Sequence, residues 1–175
     1  MDLKEKLLPY LRTVPDYPVP GILFWDVTTL FKDPEAFRTV VDATYELYKD
    51  KGITKVVGIE SRGFVVGAAL AYRLGAGFVP ARKPGKLPAA CWSASYDKEY
   101  GKDRIEMHQD ALEKGDVVLI HDDVLATGGT AEAVGRLVER YAPAAVYCNF
   151  IIELEGLGGR EKMPAGLDIT ALLHL

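Results

Sequence analysis

The chain has 175 residues, of which 49% are hydrophobic and 26% are charged, which suits one domain with a sizeable core. Its formal net charge is −4 and it has no dense run of Lys and Arg, which argues against a nucleic-acid-binding or membrane-surface protein. The longest apolar stretch, Phe64 to Tyr72, is far shorter than the ~20 residues of a membrane span.

The two cysteines and the first residues indicate the compartment. Cys91 and Cys148 are too few for a disulfide framework, and the start Met1-Asp2-Leu3-Lys4-Glu5 lacks the pattern of a signal peptide. We therefore expect a cytoplasmic protein made of a single domain, residues 1–175. Its three histidines are scattered without metal-ligand spacing, so we expect no protein-held zinc site.

The first third of the chain predicts two helices separated by an aromatic segment. Leucines 3, 7, 8 and 11 have helical spacing and predict a helix that stops before Pro15, with Pro9 as a possible kink. A stiff Pro/Gly loop then leads to Ile22–Val27, whose Phe24 and Trp25 read from the pattern alone as core. Asp33 is an N-cap candidate with Pro34 at the first helical position. The core face of that helix is predicted to comprise Phe37, Val40, Val41, Thr44, Leu47 and Tyr48.

The middle of the chain predicts alternating strands and helices. Ile53–Ile59 reads as a strand, followed by the loop Glu60-Ser61-Arg62-Gly63 and a helix to Leu74. A strand, a short polar loop with Gly and a helix place backbone N–H groups around an anion. Phe78–Arg82 reads as the next strand, and residues 83–88 as a basic turn that includes Lys86. The polar and aromatic segment 94–102, between two strand-like segments, is typical of a lid over a substrate.

The stretch from Val117 to Thr130 carries the clearest chemistry. Four apolar residues read as a buried parallel strand, and Asp122 and Asp123 follow them, where carboxylates can accept hydrogen bonds from sugar hydroxyls. A loop of small residues then leads into a helix: Ala126, Thr127, Gly128, Gly129 and Thr130. Its glycines permit close backbone approach, and its hydroxyls and free N–H groups can donate to a phosphate. The loop matches neither a Walker motif nor the dinucleotide turn.

The remaining chain completes an α/β pattern. Ala144–Leu154 reads as a strand, 156–164 as a loop and 170–173 as a last short strand. Cys148 is interpreted as a small buried hydrophobe. For His121, just before the acidic pair, two interpretations remain: it faces the sheet interior, or it tunes Asp122.

Asp122-Asp123 followed by residues 126–130 resembles the phosphoribosyl-pyrophosphate signature of type I phosphoribosyltransferases. The resemblance covers nearly the whole chain and is strongest to members that use adenine. It implies the fold of that family: a mostly parallel central sheet flanked by helices (34–175), an N-terminal helix and base-binding hood (1–33), and a flexible catalytic loop at about 90–107. It also implies a homodimer.

The same resemblance implies roles for individual residues. Asp122, Asp123 and the 126–130 loop would bind the ribose and the 5-phosphate. The pyrophosphate would be bound by Glu60, Ser61, Arg62, Arg82 and Lys86, with a non-proline cis peptide at Glu60-Ser61. The base would be bound by Leu23, Phe24 and Trp25, with Phe24 stacked on the purine. Glu99 would be the catalytic acid or base. Mg²⁺ would be held mainly by the substrate pyrophosphate and water, without a dedicated protein cage.

The implied activity is transfer of 5-phosphoribosyl from phosphoribosyl pyrophosphate to N9 of adenine, as purine salvage, with no nucleic-acid or membrane partner. Two alternatives stay open. The family commonly has Arg where this chain has Trp25, so the base could be hypoxanthine or guanine. The more distant alternative is a regulator that senses phosphoribosyl pyrophosphate without catalysis and would need a nucleic-acid-binding surface.

Overall fold

A parallel sheet of five strands organises the molecule. The structure is a computed structural model that describes residues 2–98 and 101–175. The strands are β1 Arg12–Pro15, β2 Leu23–Asp26, β3 Lys55–Ile59, β4 Gly77–Ala81, β5 Cys91–Lys98, β6 Gly101–His108, β7 Val117–Leu125, β8 Ala145–Glu153 and β9 Asp168–His174. The helices are α1 Leu3–Leu7, α2 Thr28–Phe31, α3 Pro34–Tyr48, α4 Gly63–Leu74, α5 Gly129–Glu139 and α6 Gly159–Lys162. The order of the strands in the central sheet is β4-β3-β7-β8-β9, and every neighbouring pair is parallel. This architecture confirms the predicted α/β class with a parallel sheet.

Side chains that alternate along β7 build the core on both faces of the sheet. Leu119 packs in one cluster with Val40 of α3 and Leu70 of α4, whereas Ile120 packs in the other with Val134 of α5. Both faces of β7 are therefore covered, which explains why its first residues form an uninterrupted apolar run. Among the described residues, no helix is long and apolar enough to cross a membrane.

The N-terminal segment differs from its prediction. The first helix ends at Leu7, and Pro9 lies in a short 3-10 turn, so Leu11 is already extended. Arg12–Pro15 then pairs antiparallel with Leu23–Asp26. The leucine spacing misled the helix prediction because tertiary pairing, which a local pattern does not contain, outweighs helical propensity there.

Helix α3 begins as predicted. The side chain of Asp33 accepts hydrogen bonds from the backbone N–H groups of Glu35 and Ala36, at 3.0 and 2.9 Å, and Pro34 is the first helical residue. The predicted core face is wrong at Leu47, which is 44% exposed. The predicted loop 156–164 also contains a helical turn, α6.

A chain of buried polar side chains crosses the sheet from β7 to α3. Asn149 accepts from His121 Nδ1 at 3.0 Å and donates its Nδ2 to Thr170 Oγ1 at 2.8 Å. Thr170 Oγ1 lies 2.7 Å from the Tyr48 hydroxyl, which also reaches the carbonyl oxygen of Cys148. His121 therefore faces the sheet interior, which decides between its two interpretations. Burial lowers its pKa to about 4 despite the hydrogen bond to Asn149, so the imidazole is neutral near pH 7.

Candidate active site

The acidic pair lies in the part of β7 that extends beyond its pairing with β3. The sequence placed the acidic pair directly after the apolar run of the strand, but β7 continues to Leu125 beside β8, so both aspartates are strand residues. Its pairing with β3 ends at His121, opposite Gly58. β7 continues this far because it pairs with β8, and that pairing cannot be predicted from the sequence of β7 alone. The aspartates consequently lie at the carboxyl end of β3, which is the end of the strands where α/β sheets bind ligands.

Asp122 and Asp123 differ in their partners. Asp123 is 3% exposed, and its Oδ2 lies 2.5 Å from Nε of Arg62. Asp122 accepts from the backbone N–H of Asp123 at 2.9 Å. Burial, followed by the neighbouring charge of Asp123, raises the pKa of Asp122 well above its usual range, although Arg62 opposes the shift. The pair therefore resists carrying two full negative charges and favours a proton donor or cation beside it.

The segment from Glu60 to Gly63 turns the chain from β3 into α4 against these aspartates. Its Glu60-Ser61 peptide bond is cis, as the family resemblance implied. A Cβ on Gly63 would lie 2.7 Å from the carbonyl oxygen of His121 and 3.0 Å from Asp122 Oδ1, so only glycine permits this approach. A cavity of about 250 Å³ results, lined by Glu60, Ser61, Arg62, Asp122 and Asp123.

Glu60 binds two of the three basic side chains that were predicted at the pyrophosphate. Its carboxylate accepts from Arg82 Nε at 3.3 Å and from Lys86 Nζ at 3.0 Å. It also accepts from the backbone N–H of Lys83 at 2.8 Å. Burial by itself raises the pKa of Glu60. The hydrogen bonds and charges of these partners, led by the Lys83 N–H, outweigh burial and lower that pKa to about 2. The carboxylate is thus ionised at all ordinary pH values and orients both cations at the rim of the cavity.

The small-residue loop, which we call the phosphate loop (residues 126–130), turns tightly into α5. Gly128 has a left-handed φ of +78°, which favours glycine, and it caps the helix that begins at Gly129. The first N–H groups of this eleven-residue helix have no carbonyl in their own helix to bind, so they are suited to an anion. A separate small cavity of about 100 Å³ lies over the loop.

Leu23, Phe24 and Trp25 line a larger cavity of about 640 Å³. Its other walls include Arg62, Val124, Ala126, Thr127, Leu154 and Leu157. The guanidinium of Arg62 lies over the Phe24 ring at 5.0 Å, and Tyr17 meets the edge of the same ring at 5.1 Å. Arg62 therefore contacts both the aromatic pocket and the acidic pair.

The predicted catalytic residue, Glu99, lies outside the described residues. The strand-like segments on either side form the antiparallel pair β5 and β6, with Trp92 opposite Met107, and both strands extend into the predicted lid segment 94–102. Lys83 Nζ binds both the Tyr96 hydroxyl and Asp103 Oδ2, which ties this hairpin to the basic turn. The hairpin also packs on the phosphate loop, because a Cβ on Gly129 would lie 3.3 Å from the carbonyl oxygen of Asp97.

The sequence reading missed the apolar walls of the aromatic pocket. Val124 follows the acidic pair and Leu154 ends the predicted strand 144–154, and their role as pocket walls was visible only through topology. Because β7 and β8 are parallel neighbours, residues at their carboxyl ends meet at one edge. Gly159 was also missed, although a glycine pair such as Gly158-Gly159 signals close backbone approach.

Comparison with known proteins gives one consistent result. A family model for the phosphoribosyl transferase domain matches residues 26–162. Adenine phosphoribosyltransferase of Phocaeicola vulgatus is 60% identical over 172 residues, covering 98% of this chain and 99% of that protein. The crystal structure of adenine phosphoribosyltransferase from Rhodothermus marinus is 55% identical, with a TM-score of 0.93, and covers 99% of this chain and 98% of that one. The Saccharomyces cerevisiae enzyme, crystallised with adenine and an imino-altritol bisphosphate, is 42% identical with a TM-score of 0.92, and 98% of each chain is covered.

Proposed function

This chain belongs to the phosphoribosyltransferase family, and from that premise we propose that it transfers 5-phosphoribosyl from phosphoribosyl pyrophosphate to N9 of adenine. The products are AMP and pyrophosphate, and the reaction serves purine salvage. One observation carries the proposal. The aromatic pocket of Leu23, Phe24 and Trp25 shares Arg62 with the cavity at the acidic pair, and it shares Ala126 and Thr127 with the cavity over the phosphate loop, so a base and a phosphorylated sugar would lie in adjoining cavities.

The ribose lies between the acidic pair and the phosphate loop. Asp122 and Asp123 accept hydrogen bonds from its hydroxyls, and the backbone N–H groups and hydroxyls of residues 126–130 bind the 5-phosphate. The raised pKa of Asp122 fits this role, because hydroxyl donors or a cation beside the pair stabilise its ionised form.

The leaving pyrophosphate lies against the loop Glu60 to Arg62. Breaking the bond to the anomeric carbon builds positive charge on the ribose and negative charge on the pyrophosphate. Arg62, Arg82 and Lys86 stabilise the latter. Glu60 is oriented toward Arg82 and Lys86 rather than toward an anion, so we propose that its side chain positions these two cations while the backbone of the loop meets the pyrophosphate.

Magnesium fits this site as a companion of the substrate. Mg²⁺ prefers oxygen ligands, which the acidic pair offers, but Asp123 and Glu60 already pair with basic side chains. We therefore propose that phosphate oxygens and water hold most of its coordination shell. When bound, it neutralises charge on the leaving pyrophosphate.

Phe24 supplies the platform for the base. Its ring stacks on adenine, and backbone groups of Leu23 and Trp25 in β2 meet the hydrogen-bonding edge. Pairing of β2 with β1, together with the Arg12–Asp26 ion pair, holds this hood segment in place. Glu99 handles the proton at the purine ring. We further propose a cytoplasmic homodimer, as the family resemblance implies.

The test is pyrophosphate release with phosphoribosyl pyrophosphate and Mg²⁺, offering adenine, hypoxanthine, guanine, uracil and orotate in separate reactions. We expect release with adenine alone. Release with hypoxanthine or guanine would keep the transfer chemistry and overturn the assignment of adenine as the base, and Trp25→Arg would then test whether Trp25 causes the change. Tight binding of phosphoribosyl pyrophosphate without release would instead indicate a sensor, which a salt-dependent gel shift with duplex DNA or RNA would test.

A further inference from the structure

We propose that Arg160 is a positioning residue, which holds the phosphate loop in the shape that binds the 5-phosphate. Arg160 lies in α6, outside the groups assigned to the substrates above. The proposal rests on the function proposed above, because it assigns to that same loop a support from the opposite side. It follows from two sets of contacts, one between backbones and one made by the Arg160 side chain.

The backbone of α6 touches the backbone of the phosphate loop directly. A Cβ on Gly128 would lie 2.4 Å from the carbonyl oxygen of Gly159. Conversely, a Cβ on Gly159 would lie 2.3 Å from the carbonyl oxygen of Ala126. Neither position has room for a side chain, so the first residue of α6 and the phosphate loop are in backbone contact. Any displacement of α6 therefore reaches the loop without flexible side chains to absorb it.

The Arg160 side chain fixes α6 to two strands of the sheet. Its Nε and Nη2 donate to Oε1 and Oε2 of Glu153 at 2.9 and 2.5 Å, which is the paired geometry that a guanidinium makes with a carboxylate. Its Nη1 donates to the carbonyl oxygen of Ile169 at 2.9 Å. Glu153 ends β8 and is only 12% exposed, and Ile169 lies in β9. A helix of four residues has little stability of its own, so these bonds and the buried Met163 after it hold it in place.

The loop needs this support because it binds through its backbone. An anion is bound tightly when the N–H groups already point at it, and a loop keeps such a shape when rigid elements surround it. The hairpin confines the loop from one side, where Asp97 faces Gly129. The α6 turn confines it from the other, and the Arg160 side chain links that turn to β8 and β9.

The test compares Arg160→Ala and Arg160→Lys with the wild type. Lysine keeps the charge but cannot bind Glu153 in a fork and Ile169 at the same time. Arg73→Ala is a matched control, because Arg73 also pairs with a carboxylate, Asp42, but lies on α4 away from the phosphate loop. The measurements are steady-state KM values for both substrates, calorimetric binding of ribose 5-phosphate and of pyrophosphate, and the unfolding temperature.

For Arg160→Ala we expect KM for phosphoribosyl pyrophosphate and Kd for ribose 5-phosphate to rise about tenfold. Kd for pyrophosphate should stay unchanged, because pyrophosphate lies against residues 60–62 and not against the phosphate loop. KM for adenine should change far less than KM for phosphoribosyl pyrophosphate, because Ala126 and Thr127 form only part of the wall of the aromatic pocket. Arg160→Lys should lie between Arg160→Ala and wild type, and Arg73→Ala should match wild type. If Arg160→Ala does not fold, Arg160→Lys carries the same comparison.

Equal losses for ribose 5-phosphate and pyrophosphate, or no loss for either, would overturn the proposal. Equal losses that follow a lower unfolding temperature would mean that Arg160 only stabilises the fold. Failure of the proposed function is recognised separately, since the wild type would then release no pyrophosphate with any base. In that case the comparison of ribose 5-phosphate with pyrophosphate binding still tests the support of the loop.

Discussion

Replacing Gly63 by Ala should displace the start of α4 from the acidic pair. The added Cβ would meet the carbonyl oxygen of His121 at 2.7 Å, whereas ordinary contacts begin near 3.4 Å, so the deficit is 3.4 − 2.7 = 0.7 Å. The atom it meets belongs to the backbone of the central strand β7, which cannot rotate away. The start of the helix must therefore move by nearly this distance, and it carries with it the neighbouring Arg62, which binds Asp123.

The expected magnitude follows from this displacement. A misplacement near 1 Å at a reacting centre costs up to ~100-fold in rate, so we expect kcat/KM to fall roughly 10- to 100-fold. Overpacking a tight contact also costs about 1–3 kcal/mol of unfolding free energy. Steady-state kinetics with both substrates and thermal unfolding followed by circular dichroism measure the two effects.

Gly135→Ala is the matched control for this prediction. Gly135 also lies within a helix, α5, but nothing in the described part of the chain lies within 4 Å of a Cβ built there, apart from adjacent residues and its own helix backbone. Alanine in a helix interior stabilises by roughly 0.5–1 kcal/mol relative to glycine. We expect Gly135→Ala to unfold at the same or a higher temperature with unchanged kinetics. Wild-type kinetics and an unchanged unfolding temperature in Gly63→Ala would refute the reasoning from close approach.

Four further changes test other parts of the site. Phe24→Ala should raise KM for adenine roughly 5- to 150-fold, because stacking of a base on an aromatic ring contributes about 1–3 kcal/mol, while KM for phosphoribosyl pyrophosphate stays constant. Glu99→Ala should lower turnover more than it weakens phosphoribosyl pyrophosphate binding, as measured by kcat and by calorimetry. The pKa of Glu60 is lowered from 4.5 to about 2, so its ionised form stabilises the fold above pH 4.5 and that contribution is lost as the pH falls toward 2. Urea unfolding of Glu60→Gln between pH 2 and 7 should therefore show a flatter loss of stability than wild type. His121 has a pKa lowered from 6.5 to about 4, so the neutral form is favoured in the fold and stability falls as the pH drops from 6.5 toward 4. Urea unfolding of His121→Gln over that range should lack this decline.

Each of these changes has an outcome that contradicts it. An unchanged KM for adenine in Phe24→Ala would show that the Phe24 ring does not bind the base. Phe24→Trp should retain most of the affinity for adenine. Equal turnover in Glu99→Ala would end its catalytic assignment. Acid unfolding curves of equal slope in Glu60→Gln and wild type would show that Arg82 and Lys86 do not hold the carboxylate ionised. A loss of stability toward pH 4 that persists in His121→Gln would show that other titratable groups cause it.

The sequence predicted the elements whose signal is local. The apolar run of β7, the cap at Asp33 and the strands around the hairpin each follow from residues close together in the chain, and the structure confirms them. The elements that were missed depend on distant partners. Arg12–Pro15 is largely exposed and forms a strand only because Leu23–Asp26 pairs with it. The turn of α6 depends on Arg160 and Glu153, which are joined across two elements.

The candidate site shows the same division. The acidic pair and the phosphate loop could be predicted because they are contiguous, and the cis peptide at Glu60-Ser61 because a family motif contains it. The extension of β7 through Asp123 was not predicted, since aspartates are depleted in strands and only pairing with β8 keeps them there. Partners of single side chains, such as those that Glu60 makes with Arg82, require the folded coordinates.

The polar chain from His121 to Tyr48 has a consequence for how the strands find one another during folding. Apolar strands such as β7, β8 and β9 can slide past one another, because valine, leucine and isoleucine tolerate several alignments. The amide of Asn149 is satisfied only when His121 stands beside it on one strand and Thr170 on the other. A slip by one residue would turn these groups to the opposite face and leave them buried without partners, at about 1–3 kcal/mol each. These polar side chains therefore favour one alignment of β7, β8 and β9. Apolar replacements at the same positions would keep the stability of the sheet but would lose the penalty against misaligned strands.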